Sequence, residues 1–410
     1  MVGPWVPRGS GVAVGIIYQT TDGGITWTQQ INENNNENQA WTEKALRSVQ
    51  FLNATTGWIV GSSGTILKTS DGGTTWIAHS ATNNLRSIHF VDANTGWAVG
   101  SAGIIHGDSG LILKTSNGGA KWVVQNIGTV ETLESIHFVD PSNGWSVGSS
   151  GTILKTSNGG TTWAPQISGT SNTLSSVHFV DSNNGWSVGT SGTILKTSNG
   201  GTTWVSQISG TTIFLRSVYF VNVDMGWVVG GSGITGVILK TSNGGTTWIR
   251  QTNDTISILT SVHFVDANTG WAVGSSTILT TRNGGDVWSS QGSANYLTSV
   301  HFVDANTGWA AGFSGIILKY TNTSTPIISV ILPSEFLSLN SYGQLSYHLP
   351  HPSNISAILY NLNGKTVLKI FEGNQSAGYH ELEIPSLENY ILDFKTNGIH
   401  KAVRLQPASQ

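Results

Sequence analysis

An eight-residue motif recurs along the chain, and this repetition constrains the fold more than any other feature. Thr-Ser-Asn-Gly-Gly-Thr-Thr-Trp or a near copy occurs seven times, with Asp22, Asp71, Asn117, Asn158, Asn199, Asn243 and Asn283 at its third position. Successive copies lie 49, 46, 41, 41, 44 and 40 residues apart, a period typical of one four-stranded β-propeller blade. Apolar residues do not recur every three or four positions, which excludes a helical solenoid.

Each period contains four short strands, as residues 176–207 illustrate. β-Branched and aromatic residues fill Ser-Val-His-Phe-Val (176–180), Trp-Ser-Val-Gly (186–189), Thr-Ile-Leu-Lys-Thr (193–197) and Thr-Thr-Trp-Val-Ser-Gln (202–207). Between these strands, Gly and Asn supply the positive φ that tight turns require. The pattern predicts an all-β fold.

Tryptophan marks two positions of the repeat. Of the 16 tryptophans, seven follow a glycine in the second strand and seven end the eight-residue motif. A buried indole removes about 150–250 Å² from water, worth roughly 25 cal/mol per Å². We therefore expect these residues to be structural rather than an aromatic binding ladder.

The motif resembles the Asp-box, Ser/Thr-x-Asp-x-Gly-x-Thr-Trp, of sialidases, sortilin-type receptors and some glycoside hydrolases. Its Asp or Asn side chain can accept backbone N–H groups across the turn while the Trp packs beneath it. Five of the seven copies carry Asn. This indicates a hydrogen-bonding role and argues against a catalytic or calcium-binding carboxylate.

With Gly-Trp-x-Val-Gly and Ile-Leu-Lys-Thr added, the repeat resembles the photosystem II assembly and stability factor family over about residues 11–320. The resemblance implies a seven-bladed β-propeller. Strands within residues 16–30 would complete a sheet begun by residues 299–312. The alternative is eight blades, two of them incomplete, because the second-strand and third-strand motifs occur eight times when residues 11–20 are counted.

A different β domain is predicted after the repeats, with residues 321–331 as linker and residues 332–410 as a small antiparallel β-sandwich. Residues 355–362 and 365–371 alternate across Asn363-Gly364, a strong hairpin signal, and further strands are expected at 380–384 and 390–394. The segments Leu345-Ser-Tyr-His-Leu, Leu359-Tyr-Asn-Leu-Asn-Gly-Lys, Gly378-Tyr-His, Asn389-Tyr-Ile-Leu and Lys401-Ala-Val-Arg-Leu resemble the C-terminal sorting domain of the type IX secretion system.

That second resemblance implies a bacterial protein that is secreted or held at the outer-membrane surface, with the secretion machinery as a partner of its C-terminal domain. An exported protein cannot take part in photosystem assembly in thylakoids. The resemblance to the photosystem family is therefore used to predict the fold and not the partner. At the other end, residues 1–10 contain Val-Pro-Arg-Gly-Ser, which resembles a thrombin-cleavage linker. These ten residues are excluded from the propeller, which is assigned to residues 11–320.

The composition of the chain excludes several classes of partner and chemistry. Only 10% of residues are charged and the formal net charge is −3, which argues against a nucleic-acid partner. The chain has no cysteine, so disulfides and thiolate chemistry are excluded. No apolar run is long enough for a membrane span.

Ligand-binding residues are expected on the one face where loop length varies. Residues 31–44 extend a connection between blades, while 101–110 and 231–236 extend loops between second and third strands. The residue after the Leu that opens each first strand also varies, and should ring the channel mouth: Arg47, Arg86, Glu134, Ser175, Arg216, Thr260 and Thr298. With Trp41, Glu33, Glu37, His106 and Asp108 they form a candidate surface for carboxylates or sugars. The alternative is a solvated rim without a ligand.

One first-strand position carries His89, His137, His178, His263 and His301, with Gln50 and Tyr219 in the other copies. A metal site requires imidazoles that converge on one ion, whereas duplication by itself explains their repetition. We expect these side chains to pack or hydrogen-bond between sheets, and we expect no metal and no other cofactor.

Two functions are compatible with this pattern. The first is an exported, non-catalytic binding or structural propeller that presents its variable face to a glycan or protein. The second is a glycoside hydrolase, sialidase-like or glucanase-like, which in most families needs two opposed carboxylates. No sialidase motif surrounds the arginines, and the recurrent Asp92, Asp140, Asp181, Asp224, Asp266 and Asp304 lie in constant turns. A carboxylate pair would have to come from Glu33, Glu37, Asp108, Glu131 and Glu134. We predict no catalytic residue.

Overall fold

The computed structural model is all-β and divides into two units, residues 1–322 and residues 323–410. In the first unit the structure describes residues 17–20, 28–30, 45–80, 83–102, 109–251, 257–290 and 296–321. In the second it describes residues 337–339, 344–349, 353–361, 366–376, 378–383, 390–395 and 400–405. The first ten residues, which the sequence assigns to a cleavage linker, lie outside these ranges.

Six blades are each a sheet of four consecutive antiparallel strands. Blade 1 contains Leu46–Phe51, Gly57–Gly61, Thr65–Thr69 and Ile77–Ser80. Blade 2 contains Asn84–Phe90, Gly96–Ala102, Ser109–Thr115 and Val123–Val124. Blade 3 contains Leu133–Phe138, Gly144–Gly148, Ile153–Thr156 and Ala164–Gln166. Blade 4 contains Leu174–Phe179, Gly185–Gly189, Ile194–Thr197 and Val205–Gln207. Blade 5 contains Leu215–Phe220, Gly226–Ser232, Thr235–Thr241 and Ile249–Arg250. Blade 6 contains Leu259–Phe264, Gly270–Gly274, Thr277–Thr281 and Ser289–Ser290. Within the described residues, 3-10 helices lie at Ser62–Gly64, Ser149–Gly151, Thr190–Gly192 and Phe313–Gly315.

Blade 7 takes strands from both ends of the repeat region. Its order is Thr28–Gln30, Ile17–Thr20, Ile317–Thr321, Thr307–Gly312 and Leu297–Asp304. The predicted seven-bladed propeller is therefore confirmed, and N-terminal strands join its last sheet. The pairing of Ile17–Thr20 with Ile317–Thr321 is parallel, whereas the third strand of every other blade pairs antiparallel with a fourth strand that follows it.

Tryptophan and phenylalanine fill the wedges between neighbouring blades. The indole of Trp309 in blade 7 stacks on the ring of Phe51 in blade 1, with centroids 3.4 Å apart, and its Nε1 donates to the carbonyl of Gly72 at 3.1 Å. The second-strand tryptophans, from Trp58 in blade 1 to Trp309 in blade 7, are at most 2% exposed. The glycine before each Trp is required, because a Cβ at Gly57 would collide with the Phe51 ring.

The eight-residue motif forms a tight turn held by its Asp or Asn. Asp71 Oδ1 accepts the backbone N–H of Thr75 at 2.9 Å and the hydroxyl of Thr69 at 2.8 Å. Asn199 Oδ1 accepts the equivalent N–H of Thr203 at 2.9 Å. The same bond is made by Asn117, Asn158, Asn243 and Asn283, while Asp22 lies outside the described residues. Only an acceptor oxygen is needed here, so Asn serves as well as Asp.

The C-terminal unit contains two antiparallel sheets. One has the order Leu337–Leu339, Gln344–Leu349, Gly378–Glu383, and the other Thr366–Gln375, Ser353–Asn361, Tyr390–Lys395, His400–Leu405. Ser353–Asn361 pairs with Thr366–Gln375, which is the hairpin that the sequence predicts around residues 363 and 364. In the described residues of either unit, no helix is long and apolar enough to cross a membrane.

Candidate functional site

Each of the seven first strands begins with a β-bulge. The register against the second strand shifts between Leu46 and Ser48, and the same shift occurs at the equivalent Leu and Ser of the other blades. The extra residue is the variable one that follows the Leu. Because a bulge redirects the side chain of its extra residue, seven different side chains can be presented without disturbing the ladder.

The seven bulge residues line one pocket at the mouth of the central channel. The pocket has a volume of about 440 Å³, and besides the bulge residues it is lined by Thr173, Thr190, Phe214, Tyr296 and Phe313. We call it the mouth pocket. It brings together seven of the twelve residues of the predicted ligand-binding surface, and the charged ones among them are Arg47, Arg86, Glu134 and Arg216. Trp41, His106 and Asp108, like Glu33 and Glu37, lie outside the described residues.

The mouth pocket is positively charged. Three arginines and one glutamate line it, and the glutamate is engaged, since Arg86 Nη1 lies 3.1 Å from Glu134 Oε2. Burial raises the pKa of the Glu134 carboxyl, and Arg86 and Arg47 offset this rise only in part. Burial also lowers the pKa of Arg47, as does its neighbour Arg86. The Nε atoms of Arg86 and Arg216 are buried with no hydrogen-bond partner among the described residues. Among the described lining residues, three arginines against one glutamate leave two formal positive charges for an anion.

Aromatic rings hold two of the arginines. The guanidinium of Arg47 lies 5.1 Å from the ring centroid of Phe313, which itself meets Tyr296 edge-on at 4.8 Å. The guanidinium of Arg216 lies 4.3 Å from the ring centroid of Phe214. A guanidinium stacked on an aromatic face keeps its N–H edge available for a carboxylate. Sequence reasoning missed these rings, although Phe214 and Tyr296 precede the opening Leu where other copies have Ala, Asn, Thr or Ile.

The bulge position has two uses in this propeller. Where it carries a hydroxyl, the side chain bonds to the next blade: Ser175 Oγ donates to the Leu215 carbonyl at 3.1 Å, and Thr298 Oγ1 to the Leu46 carbonyl at 2.7 Å. Thr260 makes the same bond to the Leu297 carbonyl. In blades 1, 2, 3 and 5 a charged side chain replaces that hydroxyl. Two of these, Arg86 and Glu134, pair with each other across blades 2 and 3, while the charges of Arg47 and Arg216 have no acidic partner within the described lining and are available to a ligand.

Below the mouth pocket, the repeated histidines form a belt around the channel. Consecutive ring centroids from His89 through His137, His178, Tyr219 and His263 to His301 lie 4.5–4.7 Å apart. Gln50 completes the circle, donating from Nε2 to the Phe90 carbonyl at 3.0 Å and accepting the Phe90 N–H at 2.6 Å. We call these seven residues the histidine belt.

Burial sets the protonation of the belt. It lowers the pKa of His178 to about 3 and those of His89 and His301 to about 4, with the charge of His89 adding a smaller lowering at His178 and His301. It raises the pKa of Tyr219 to about 12. The belt is therefore neutral at ordinary pH. No cluster of three or more His, Asp or Glu suited to a metal ion occurs in the described part of the chain.

The long loops of the variable face are partly visible. In blade 5, Gly226–Ser232 and Thr235–Thr241 pair to their ends and place Ile234 at the tip of the hairpin, 92% exposed. In blade 2, Gly96–Ala102 and Ser109–Thr115 pair in the same extended way. Glu131 accepts the hydroxyl of Ser150 at 3.1 Å and is absent from the mouth-pocket lining. Glu134 is thus the one carboxylate among the described residues of that lining.

These features define a seven-bladed β-propeller with a charged pocket at one mouth of its channel. The chain belongs to the family described as photosynthesis system II assembly factor YCF48, whose model matches residues 34–127, 119–172 and 167–255, more than half of the sequence. No curated protein sequence matches the chain.

Solved structures share the propeller fold at low sequence identity. A structure titled "YCF48 bound to D1 peptide" is 19% identical, with a TM-score of 0.57 over 69% of this chain and 93% of that one. YCF48 from Cyanidioschyzon merolae is 20% identical, with a TM-score of 0.57 over 68% and 96%. The GH74 enzyme of Niastella koreensis is 13% identical, with a TM-score of 0.57 over 88% of this chain and 66% of that one.

Proposed function

We propose that this chain is an exported, non-catalytic propeller that binds an acidic segment of a protein partner in the mouth pocket. The observation that carries the proposal is the convergence of Arg47, Arg86 and Arg216 on one pocket, in which the described lining residues include a single, ion-paired carboxylate. Three arginines meet in this pocket although the chain has a formal net charge of −3.

The chemistry of the pocket suits carboxylates. Each guanidinium can form two parallel N–H···O bonds to one carboxylate, and the stacked rings of Phe214 and Phe313 hold two of them in place. A volume of about 440 Å³ accommodates one or two side chains rather than a folded domain. We therefore expect an Asp, a Glu or a terminal carboxylate to enter the pocket, with flanking residues on the surrounding loops.

The family relationship supports a protein partner over a glycan. The YCF48 structure bound to D1 peptide is a propeller of the same family in complex with a peptide. The partner of the present chain is defined by the pocket chemistry, and an exported protein would meet a different polypeptide. A glycan rich in uronic acids is the alternative ligand.

Export is proposed from the C-terminal unit. The two antiparallel sheets of residues 323–410 carry the segments that resemble a type IX sorting domain. We expect the secretion machinery to recognise this unit and the protein to end at the bacterial surface or outside the cell. Deleting residues 323–410 should then retain the protein inside a type IX-competent host, whereas equal export without them would contradict the proposal.

A glycoside hydrolase is the less supported function. The GH74 structures are only 13% and 9% identical to this chain, which relates them by fold. Most glycoside hydrolases need two carboxylates on either side of the scissile bond. The described pocket lining supplies Glu134 alone, already paired with Arg86.

One experiment separates these functions. The purified chain is applied to a peptide array of acidic, neutral and amidated sequences, to a glycan array, and to a panel of glycosidase substrates. We expect binding to acidic peptides, weakened at least tenfold by Arg47→Ala with Arg86→Ala, since each lost charged hydrogen bond is worth about 1.5–3 kcal/mol. Arg250→Ala, which removes an exposed cation at the end of a fourth strand, is the matched control.

Unchanged peptide binding by the double arginine variant would refute the site. Binding confined to acidic glycans would replace the protein partner with a carbohydrate. Turnover abolished by Glu134→Gln would establish the enzyme instead.

A further inference from the structure

The outer edge of blade 7 differs from that of every other blade. Its third strand, Ile317–Thr321, is the last strand of the repeat region, and no copy of the eight-residue motif follows it. In the other six blades a fourth strand from the same repeat covers this edge. Here the edge is covered by Ile17–Thr20, which comes from the opposite end of the repeat region.

The pairing at this edge joins two third strands. Ile17 lies opposite Ile317, Gln19 opposite Lys319 and Thr20 opposite Tyr320, all in parallel. Ile-Tyr-Gln-Thr is itself the third-strand segment of an incomplete repeat, and Thr28–Gln30 follows it as the outermost strand. The N-terminal strand pair, as we call residues 17–20 and 28–30, therefore extends the three-stranded blade 7 in the way that a peptide adds to a sheet edge.

Ring closure does not pass through this strand pair. Blade 7 meets blade 1 through its inner strands: Thr298 Oγ1 donates to the Leu46 carbonyl at 2.7 Å, and Trp309 Nε1 donates to the Gly72 carbonyl at 3.1 Å. In blade 7, Tyr320 packs against Phe302 at 5.2 Å, the place where other blades put the motif Trp against the first-strand Phe.

Only one covalent connection tethers the strand pair to the ring. Fourteen residues, 31–44, separate Gln30 from residue 45. A chain of that length spans up to about 45–50 Å when extended. It is therefore long enough to carry the strand pair to a neighbouring molecule, and exchange of an identical element between copies is a low-cost route to a dimer.

We propose that the edge of blade 7 is an exchange site, at which the N-terminal strand pair of one copy docks on Ile317–Thr321 of a second copy. The same strand pair occupies this edge in the closed monomer and in the exchanged dimer, with the same parallel register and the same ladder hydrogen bonds. Protein concentration therefore decides between a closed monomer and a reciprocal dimer.

The absence of cysteine from the chain makes a direct test possible. Full-length Gln19→Cys and Lys319→Cys variants are mixed, refolded together over a range of concentrations, and oxidised mildly. Opposed residues in a sheet are close enough for a disulfide. We expect a covalent heterodimer of twice the monomer mass, in a yield that rises with protein concentration.

The matched control is the mixture of Gln19→Cys with Lys68→Cys, which is used in place of Lys319→Cys. Lys68 holds the equivalent third-strand position in blade 1, over Trp58 as Lys319 is over Trp309, and its neighbour is Ile77 of its own fourth strand. This control should give no heterodimer above random collision. The double variant Gln19→Cys with Lys319→Cys, oxidised when dilute, reports the same register within one chain.

Three results would overturn the proposal. The first is closure of the double variant within one chain while the mixture gives no heterodimer above the control. The second is failure of both the double variant and the mixture to cross-link, which would remove the parallel register itself. The third is an equal yield from the Lys68→Cys control.

Discussion

Ser299 in blade 7 accepts the backbone N–H of Val49 in blade 1 through its Oγ at 3.1 Å, across 250 residues of sequence. The same bond joins every pair of neighbouring blades, with the first-strand Ser as acceptor and the next first strand as donor. The other acceptors are Ser48, Ser87, Ser135, Ser176, Ser217 and Ser261. These seven bonds form a closed circle of inner strands, so the ring closes by repeating one local contact.

Ser299→Ala should destabilise the propeller. The variant leaves the Val49 N–H without its acceptor in a half-buried position, which costs about 1–3 kcal/mol. Chemical unfolding followed by tryptophan fluorescence measures the change, since the propeller holds most of the tryptophans. Ser242→Ala, at an exposed turn serine, is the control and should change stability by less than about 0.5 kcal/mol. Equal effects of the two variants would contradict a role for the Ser299 bond.

The histidine belt should make the propeller acid-sensitive. The pKa values of His89 and His301 in the folded chain are about 4, below the ordinary value of 6.5, so the unfolded chain binds more protons between these limits. Stability is therefore fully present above about pH 6.5 and falls as the pH drops toward 4. Thermal unfolding from pH 8 to pH 4 should show this decline.

A histidine variant separates the contribution of the histidine belt to the pH dependence of stability from the contribution of the acidic turns. His178→Gln places in blade 4 the residue that blade 1 carries naturally at Gln50, and it should make the decline between pH 6.5 and 4 shallower. Hydrogen bonds outweigh burial and lower the pKa of Asp92 and Asp140. The stability that these carboxylates contribute to the folded chain is therefore lost only below about pH 4. An unchanged slope in His178→Gln would show that the belt does not set the pH dependence.

The tight turns should tolerate an exchange of Asn for Asp but not loss of the acceptor. Asn199→Ala removes the oxygen that accepts the N–H of Thr203 at 2.9 Å and the hydroxyl of Thr197 at 3.0 Å. We expect a loss of about 1 kcal/mol in the free energy of unfolding. Asn199→Asp should remain within about 0.5 kcal/mol, because Asp71 makes the same bonds with a carboxylate. A large penalty for Asn199→Asp would argue that the amide itself is needed.

Arg216→Lys should weaken binding of an acidic peptide although the charge is kept. The guanidinium carbon lies 4.3 Å from the centroid of the Phe214 ring, and the guanidinium is a planar donor that an ammonium group cannot reproduce. We expect an affinity loss of about tenfold, together with weaker binding as salt is raised, because exposed charges are screened. Fluorescence anisotropy with a labelled Glu-rich peptide measures both effects. Affinity equal to that of the unchanged chain would exclude a bidentate contact from Arg216.

Much of the propeller could be predicted from the residues of a single repeat. The spacing of the tight turns predicts the blade, and the Gly-Trp pair predicts the buried second strand because only glycine leaves room for the Phe ring above it. The variable residue after the opening Leu was also visible in the sequence, and the structure places all seven of these residues around the mouth pocket. Such features depend on contacts within a repeat or between adjacent repeats, so they recur with the sequence period.

Other features depend on which residues meet across the ring. Arg86 pairs with Glu134 because blades 2 and 3 are neighbours, and Arg47 meets Phe313 only because blade 7 closes on blade 1. The parallel pairing of Ile17–Thr20 with Ile317–Thr321 depends in the same way on the two ends of the repeat region coming together. Local sequence determined the blade and its turns, because strand pattern and turn chemistry act over a few residues. Tertiary structure alone decided the ion pair and the ring contacts inside the mouth pocket and the partner of the last sheet edge, because these contacts join residues far apart in the chain.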